Sequence, residues 1–536
     1  MKTALLQCNP VTGDIAGNIE RISQAVRRAG KVDLCVTPEL ALSGVAPGDF
    51  LSMNDFVEGC RKGLDILAAR FVAGPDLLIG APVVSVYNPD LLSNAAIHIS
   101  HGQWDVVSRK IRPEASRDPD ARFFDRGVSC GILTLSGWRL GIVLCENDTA
   151  DSFWAQGTGY TPLLDLISRG VDAIIHMKAT PYIIGKRADM EAMLTHVAAR
   201  HHIHLLSVNL IGGNGGLIFG GQSLALDPTG AVYARGQAFA EDVLIVDMAT
   251  GTAPVAAVGK VWQENVFGAL VLGVRDYVRK NGLEKALVSL SGGIDSALVL
   301  VIAVEALGAR NVQAVLTPSA ATSTEALAGA RRLAERLSVP VCELPIDALL
   351  EGYDEALAPA LAGADPSPAV HSKLQELVRG SLLATLASQS SALILNALNK
   401  SETALGYCTL YGDTVGSLGV VADLTKTQVQ AVTRWLNEAR DIFPASVLQN
   451  ASQTRISRQK TGLALPYAEL DTVLDALLAA QPRRPLPRIH KRQDEVRDRV
   501  FGMEFKRRQE PQPLYVSDKP FGRAWTVPLT GKFNLP

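Results

Sequence analysis

The segment Ser289-Leu290-Ser291-Gly292-Gly293-Ile294-Asp295-Ser296 constrains this chain more than any other, because of what flanks it. The apolar run Ala286–Leu290 predicts a buried strand, and Ala297–Leu307 predicts a helix that Gly308 stops. Gly292 and Gly293 allow a sharp turn and close approach to a ligand, while Ser291 and Ser296 set hydroxyls beside the unpaired amides of a helix start. Such a turn is an anion cradle. No Lys-Ser or Lys-Thr follows the glycines, which argues against the γ-phosphate transfer of Walker-type loops. Asp295 repels a bare phosphate, so its expected use is to hold a cation or magnesium-bound pyrophosphate. The plain alternative is an ordinary strand-to-helix turn; the strand, glycines and helix in one run weigh against it.

The loop lies past the middle of 536 residues, a length that implies two or three domains. Short apolar strands alternate with amphipathic helices from the start: strands over Thr3–Gln7 and Leu34–Val36 bracket a helix over Gly17–Ala29, and further strands recur to Val243–Val246. That pattern predicts a layered α/β domain over 1–247. It lapses between Asp247 and Lys260, where Ala, Thr, Gly and Pro predict a linker over 248–260. Beyond it, 261–536 resumes with strands at Val312–Leu316, Val341–Leu344 and Ala392–Leu395, and helices at Glu325–Leu337 and Leu374–Ser388. This alternation predicts a doubly wound parallel sheet with ligands at the carboxyl ends of its strands.

A formal charge of -2 and 20% charged residues give no reason to expect nucleic acid or a membrane as partner. Seven cysteines without a Cys-x-x-Cys pair favour reduced thiols in a cytoplasm, and neither a signal peptide nor a bilayer-length apolar run is expected. The clustered His201, His202 and His204 lack zincin spacing, and surface or satisfied histidines are the expected reading.

Three reactive residues stand just beyond predicted strands: Glu39, Lys110 and Cys145. A thiol attacks as thiolate, and a carboxylate base beside an ammonium ion supplies proton removal and charge stabilisation, so the set suits amide cleavage through a thioester. Singly, each has a dull reading as helix cap, solvated lysine or small buried residue.

Pro38-Glu39-Leu40, Arg109-Lys110 and Leu144-Cys145-Glu146 resemble the triad of the nitrilase superfamily, and Gln7-x-Asn9-Pro10-x-x-Gly13-Asp14 resembles the glutaminase domain of NAD synthetases. Ser291–Ser296 resembles the loop of the ATP pyrophosphatases. Lys400-Ser401-Glu402, Tyr411-Gly412-Asp413, Leu465-Pro466-Tyr467 and Lys506-Arg507-Arg508-Gln509 are similar to NAD synthetase motifs in the same order. The resemblance implies a nitrilase-like α-β-β-α sandwich followed by a Rossmann-like domain of the ATP pyrophosphatase type. It implies a homo-oligomer that uses glutamine, ATP with magnesium, and deamido-NAD.

Carried over residue by residue, the resemblance makes Glu39, Lys110 and Cys145 catalytic and gives Thr180 and Lys186 to glutamine. Ser289, Ser291, Gly292, Gly293, Ile294, Asp295, Ser296 and Ala397 go to ATP, Lys373, Glu402 and Lys506 to deamido-NAD, and Asp295 with Glu402 to the metal. The chain departs from its relatives' patterns at Asn147, at Lys178-Ala179-Thr180-Pro181, at His371-Ser372-Lys373 and at Asn396-Ala397-Leu398-Asn399. Two further readings follow: a diverged amidotransferase acting on another acid, and an inactive binding protein, against which Cys145 and Asp295 speak.

Overall fold

The computed structural model describes residues 1–111, 119–144, 162–251, 253–360, 367–450, 465–479 and 488–530. It divides into two units, Met1–Lys260 and Val261–Pro536.

The first unit is built on strands whose alternate residues face opposite layers. In β1 (Lys2–Gln7), Ala4 and Leu6 pack with the helices Ile15–Ala29 and Asn54–Arg70, while Leu5 packs with residues of a second sheet. Both faces are buried, which is why these strands read as continuous apolar runs. β2 (Leu34–Val36), β3 (Asp76–Val84), β4 (Leu92–Ser100) and β5 (Gln103–Arg109) join β1 in one sheet, with β1, β2 and β3 parallel. The second sheet contains β6 (Gly131–Leu135), β7 (Trp138–Leu144), β8 (Ala173–Lys178), β9 (His204–Asn209), β12 (Leu224–Leu226) and β13 (Val232–Arg235), with β7, β8 and β9 parallel. β14 (Asp242–Asp247) closes the free edge of the first sheet against β1. The outer face of the second sheet is covered by the helices Pro162–Ser168 and Lys186–His201. The layers are therefore helix, sheet, sheet, helix, as the resemblance implied.

A hairpin of β10 (Ile211–Asn214) and β11 (Leu217–Gly220) falls where the residue pattern predicts no strand. Gly212 and Gly213 depress strand propensity there, and pairing with Leu217–Gly220 supplies the ladder instead.

In the second unit β15 (Lys285–Ser289), β16 (Val312–Leu316), β17 (Val341–Glu343), β18 (Ala392–Asn396), β19 (Leu418–Gly419) and β20 (Gln512–Pro513) lie in the order β17-β16-β15-β18-β19-β20, all parallel. The order reverses between β15 and β18, so the crevice beyond their carboxyl ends is the ligand position of a doubly wound sheet. The helix after β15 runs Ile294–Leu307, beginning three residues before the sequence pattern indicated, and Asp295 and Ser296 occupy its first turn. It is apolar nearly all round because Ala297–Ala303 are buried without a break.

Candidate active sites

Glu39 lies three residues past β2, in a turn whose next residue, Leu40, has φ 52°. Gly80 on β3 makes this possible: a Cβ there would stand 2.3 Å from the Pro38 carbonyl oxygen and 2.8 Å from the Glu39 Cα. The Gly80 amide also donates to Thr37 Oγ1 (3.0 Å), fixing the approach to the turn. Glu39 is 3% exposed. Its Oε1 accepts from Lys110 Nζ at 2.8 Å and from Asn94 Nδ2 at 2.6 Å, so the carboxylate is held by two donors at one oxygen. Among the described residues Oε2 has no partner. Lys110 follows β5, and its backbone amide donates to the Asn94 carbonyl (2.8 Å). Two of the three expected catalytic residues are thus brought together.

Cys145 lies outside the described residues, as does Asn147; the strand before it, β7, ends at Leu144, level with Met177 of β8. β8 itself ends in a buried Lys178. Thr180, two residues on, is tied by its backbone to Asn209: its amide donates to Oδ1 (3.0 Å) and its carbonyl accepts from Nδ2 (3.3 Å). Lys186 is exposed on the first turn of the helix Lys186–His201. The motif around Gln7 is frame rather than site. Gln7 Nε2 donates to the Gln237 and Ala240 carbonyls at 2.7 Å each, and Asp14 caps the helix Ile15–Ala29, its carboxyl held below the ordinary range by the Gly17 amide and then by Arg21. His201 ends a helix, His202 caps it in the left-handed region, and His204 meets Trp138 edge-on.

In the second unit the phosphate loop is closed by its own serines. Ser296 Oγ accepts from the Ser291 amide (3.3 Å) and donates to the Gly293 carbonyl (3.1 Å), and Ser291 Oγ accepts from the Gly293 amide (3.3 Å). Gly292 has φ 81°, and a Cβ there would meet the Ala326 carbonyl oxygen at 2.5 Å, so only glycine fits. Ser289 ends β15, half-buried, and Ile294 is buried. Asp295 pairs with Lys426 through Oδ2, and its Oδ1 accepts from Asn399 Nδ2 at 3.0 Å.

Asn399 belongs to the loop after β18 and caps the helix Lys400–Ala404 reciprocally with Glu402. Burial, and then the charge of Asp295, push the Glu402 carboxyl up to about 8. Burial pulls the Lys426 ammonium down, but Asp295 and Glu402 more than offset it and leave it raised. Asp295, Glu402 and Lys426 therefore form one electrostatic cluster at the point where the strand order reverses.

Ala397 and Leu398 are half-buried in the same loop, whose turn is held by Asn396: its Oδ1 accepts from the Leu398 amide (2.9 Å) and its Nδ2 donates to the Asp413 and Val415 carbonyls. Two expected residues stand differently. Lys373 is exposed on the helix Pro368–Ser390 and makes no hydrogen bond or ion pair among the described residues. Lys506 turns its ammonium onto the carbonyls of Gly406 (2.9 Å) and Cys408 (2.6 Å). In the neighbouring Lys400-Ser401-Glu402 run, Lys400 serves the scaffold, donating to Asp423 (2.8 Å), Ser517 (2.7 Å) and the Lys519 carbonyl (3.0 Å).

Asn94, Asn399 and Lys426 escaped the sequence reading. Lys426 left a signal: Thr425-x-x-Gln428 marks a helix start, and a lysine in the first turn opposes the helix dipole, so something other than helix stability holds it there. Asn94 is a polar residue inside an apolar strand, visible only as an exception to the pattern.

Residues 2–256 match the carbon-nitrogen hydrolase family and residues 266–510 the NAD synthase family, so the chain joins an amide-cleaving fold to an NAD synthase fold. A glutamine-dependent NAD(+) synthetase of Synechocystis is 36% identical, over 99% of this chain and 99% of its own length. One from Thermotoga maritima is 31% identical over 100% and 99%. The solved structure of a glutamine-dependent NAD+ synthetase from Acinetobacter baumannii with adenosine diphosphate superposes with TM-score 0.78 at 27% identity, covering 98% of each chain. The chain belongs to the glutamine-dependent NAD(+) synthetase family of enzymes.

Proposed function

We propose that the chain converts deamido-NAD to NAD at the expense of ATP, with ammonia drawn from glutamine. The observation that carries this reading is that one chain holds both a Glu39–Lys110 pair at strand ends and a parallel-sheet phosphate loop with Asp295 on Lys426.

In residues 1–247, with 248–260 as linker, Glu39 Oε2 takes the proton of the Cys145 thiol, and the sulfur attacks the side-chain carbonyl carbon of glutamine. Lys110 stabilises the oxyanion, while Thr180 and Lys186 hold glutamine. Glu39 returns the proton to the nitrogen as the C–N bond breaks, giving ammonia and a thioester. Water then cleaves the thioester, losing its proton to Glu39, and glutamate leaves with the thiol restored.

In residues 261–536, ATP lies on Ser289, Ser291, Gly292, Gly293, Ile294, Asp295, Ser296 and Ala397. The nicotinate carboxylate attacks the α-phosphorus and pyrophosphate leaves; ammonia then attacks the acyl carbon and AMP departs, leaving the amide. Lys373, Glu402 and Lys506 serve the dinucleotide side. The donor set suits magnesium, because Asp295 and Glu402 offer hard oxygens. The described residues gather no group of three or more metal-ligating side chains, and phosphate oxygens and waters would complete the shell. Magnesium held there supplies neutralisation of phosphate charge. Until it does, Lys426 keeps the Asp295 charge balanced. Cys35, Cys60, Cys342 and Cys408, which form no disulfide among the described residues, support a cytoplasmic location, and the family resemblance supports a homo-oligomer.

The test is pyrophosphate release with ATP, magnesium, glutamine and a panel of acids that includes deamido-NAD. Release with deamido-NAD, and NAD as product, is expected. Release with a different acid only would favour the second reading, a diverged amidotransferase. The observation behind that reading is Lys506, two of whose three ammonium N–H donors are engaged by backbone carbonyls.

A further inference from the structure

We infer that Asn94 is a positioning residue for the amide-cleaving reaction, holding Glu39 so that Oε2 alone is the working base. Its backbone carbonyl accepts from the Lys110 amide (2.8 Å) and its side-chain Nδ2 donates to Glu39 Oε1 (2.6 Å), so one residue brackets both members of the pair. Lys110 Nζ ends on the same oxygen at 2.8 Å. With both donors on Oε1, the lone pairs of Oε2 are uncommitted among the described residues and left for proton transfer, and the carboxylate cannot rotate without breaking two charge-assisted bonds.

Asn94 carries a cost that its own stability does not explain. It is 4% exposed, and its Oδ1 is buried with no hydrogen-bond partner among the described residues. An unsatisfied buried acceptor is unfavourable, and proteins keep few of them without reason. Flipping the amide would give that oxygen's place to an N–H group, but would set Oδ1 against Glu39 Oε1, oxygen on oxygen. The orientation is therefore dictated by the carboxylate. Placement that serves a neighbour at the expense of the residue's own pairing is the mark of a functional constraint.

The inference rests on the proposed amide cleavage, and the experiment separates the two. Wild type, Asn94→Leu and Asn94→Asp are assayed for ammonia release from glutamine and from a short aliphatic carboxamide, with thermal unfolding of each full-length protein. Leucine removes the donor together with the unsatisfied acceptor. Aspartate keeps the shape but sets a second carboxylate against Glu39. The expected result is a kcat lowered about tenfold to a hundredfold in Asn94→Leu, up to the lower end of general acid–base contributions as befits a residue that acts through the base, with KM little changed and Tm equal or higher. Asn94→Asp loses more. Wild-type kcat in either folded variant, or a fall in Tm that tracks the fall in activity, overturns the role, as does failure of both variants to fold. If the wild type acts on the short carboxamide but not on glutamine, the glutamine reading fails and the role of Asn94 is read from that substrate. If it acts on neither, both fall.

Discussion

Each unit suspends one carboxylate between a lysine ammonium and an asparagine amide, and the two do it differently. At Glu39 both donors end on Oε1, whereas at Asp295 Lys426 takes Oδ2 and Asn399 takes Oδ1. Among the described residues the first arrangement leaves one oxygen with its lone pairs uncommitted, which is what a base requires. The second puts one donor on each oxygen, so a ligand cation would share an oxygen with a donor already in place. A carboxylate, an ammonium and an amide thus stand as the proposed proton acceptor in one place and the proposed charge holder in the other, and the difference lies in how the donors are distributed.

Asp295→Asn is the strongest attempt to break this comparison. It keeps the shape but removes the charge facing Lys426, and pyrophosphate release is expected to fall about a hundredfold or more whether glutamine or ammonia is supplied. Near-normal release would reduce Asp295 to a turn residue. Cys145→Ala is next: turnover with glutamine is expected to vanish while turnover with free ammonia persists, because the phosphate loop belongs to the other unit. Loss of both in a protein with wild-type circular dichroism would mean that the sites are not separable.

A third prediction sharpens the contrast through pH. Glu402 shares burial and the field of Asp295 and is pushed up to about 8. A carboxyl raised on folding holds a proton that the unfolded chain has released. Its contribution is therefore complete below the ordinary value of 4.5 and is lost as pH rises through about 8. Glu402→Gln retains an acceptor for the Asn399 amide and removes the titration. Calorimetry is expected to show a Tm gain of a few degrees for this variant in mild alkali and little gain in acid. An equal difference at both ends would mean that the effect is packing rather than charge.

How far these sites were legible follows from the kind of signal each residue leaves. The strand, Gly292-Gly293 and helix were plain, because glycine at a positive φ and an apolar run state backbone conformation locally. The alternation of Ala4, Leu5 and Leu6 between two layers likewise announced buried sheets. Asn94, Asn399 and Lys426 were hidden because their partners lie 55, 104 and 131 residues away, a separation that periodicity does not encode. Lys506 shows the converse: its motif was visible, but the contact with the Gly406 and Cys408 carbonyls depends on a loop whose path the sequence does not state.

The smallest expected effect concerns the loop that carries Asn399. Ala397 and Leu398 stand where the family resemblance implies a hydroxyl and a glycine, and both are half-buried after β18. Ala397→Thr with Leu398→Gly is expected to strengthen ATP binding by about 0.5–1.5 kcal/mol, the worth of one regained hydrogen bond. Calorimetric titration checks it. Unchanged affinity would separate this loop from the nucleotide, and tighter binding joined to faster use of deamido-NAD would favour the diverged reading.

The account turns most directly on Glu39→Gln, measured as NAD formed from glutamine and from free ammonia in parallel. Glutamine fills the same volume but offers no base at the Oε2 position. Turnover with glutamine is predicted to fall roughly 10²–10⁴-fold, the range for a lost general base, while turnover with ammonia stays at the wild-type rate. An equal fall with both nitrogen sources, or no fall with either, would contradict the assignment of one carboxylate to each half of the reaction.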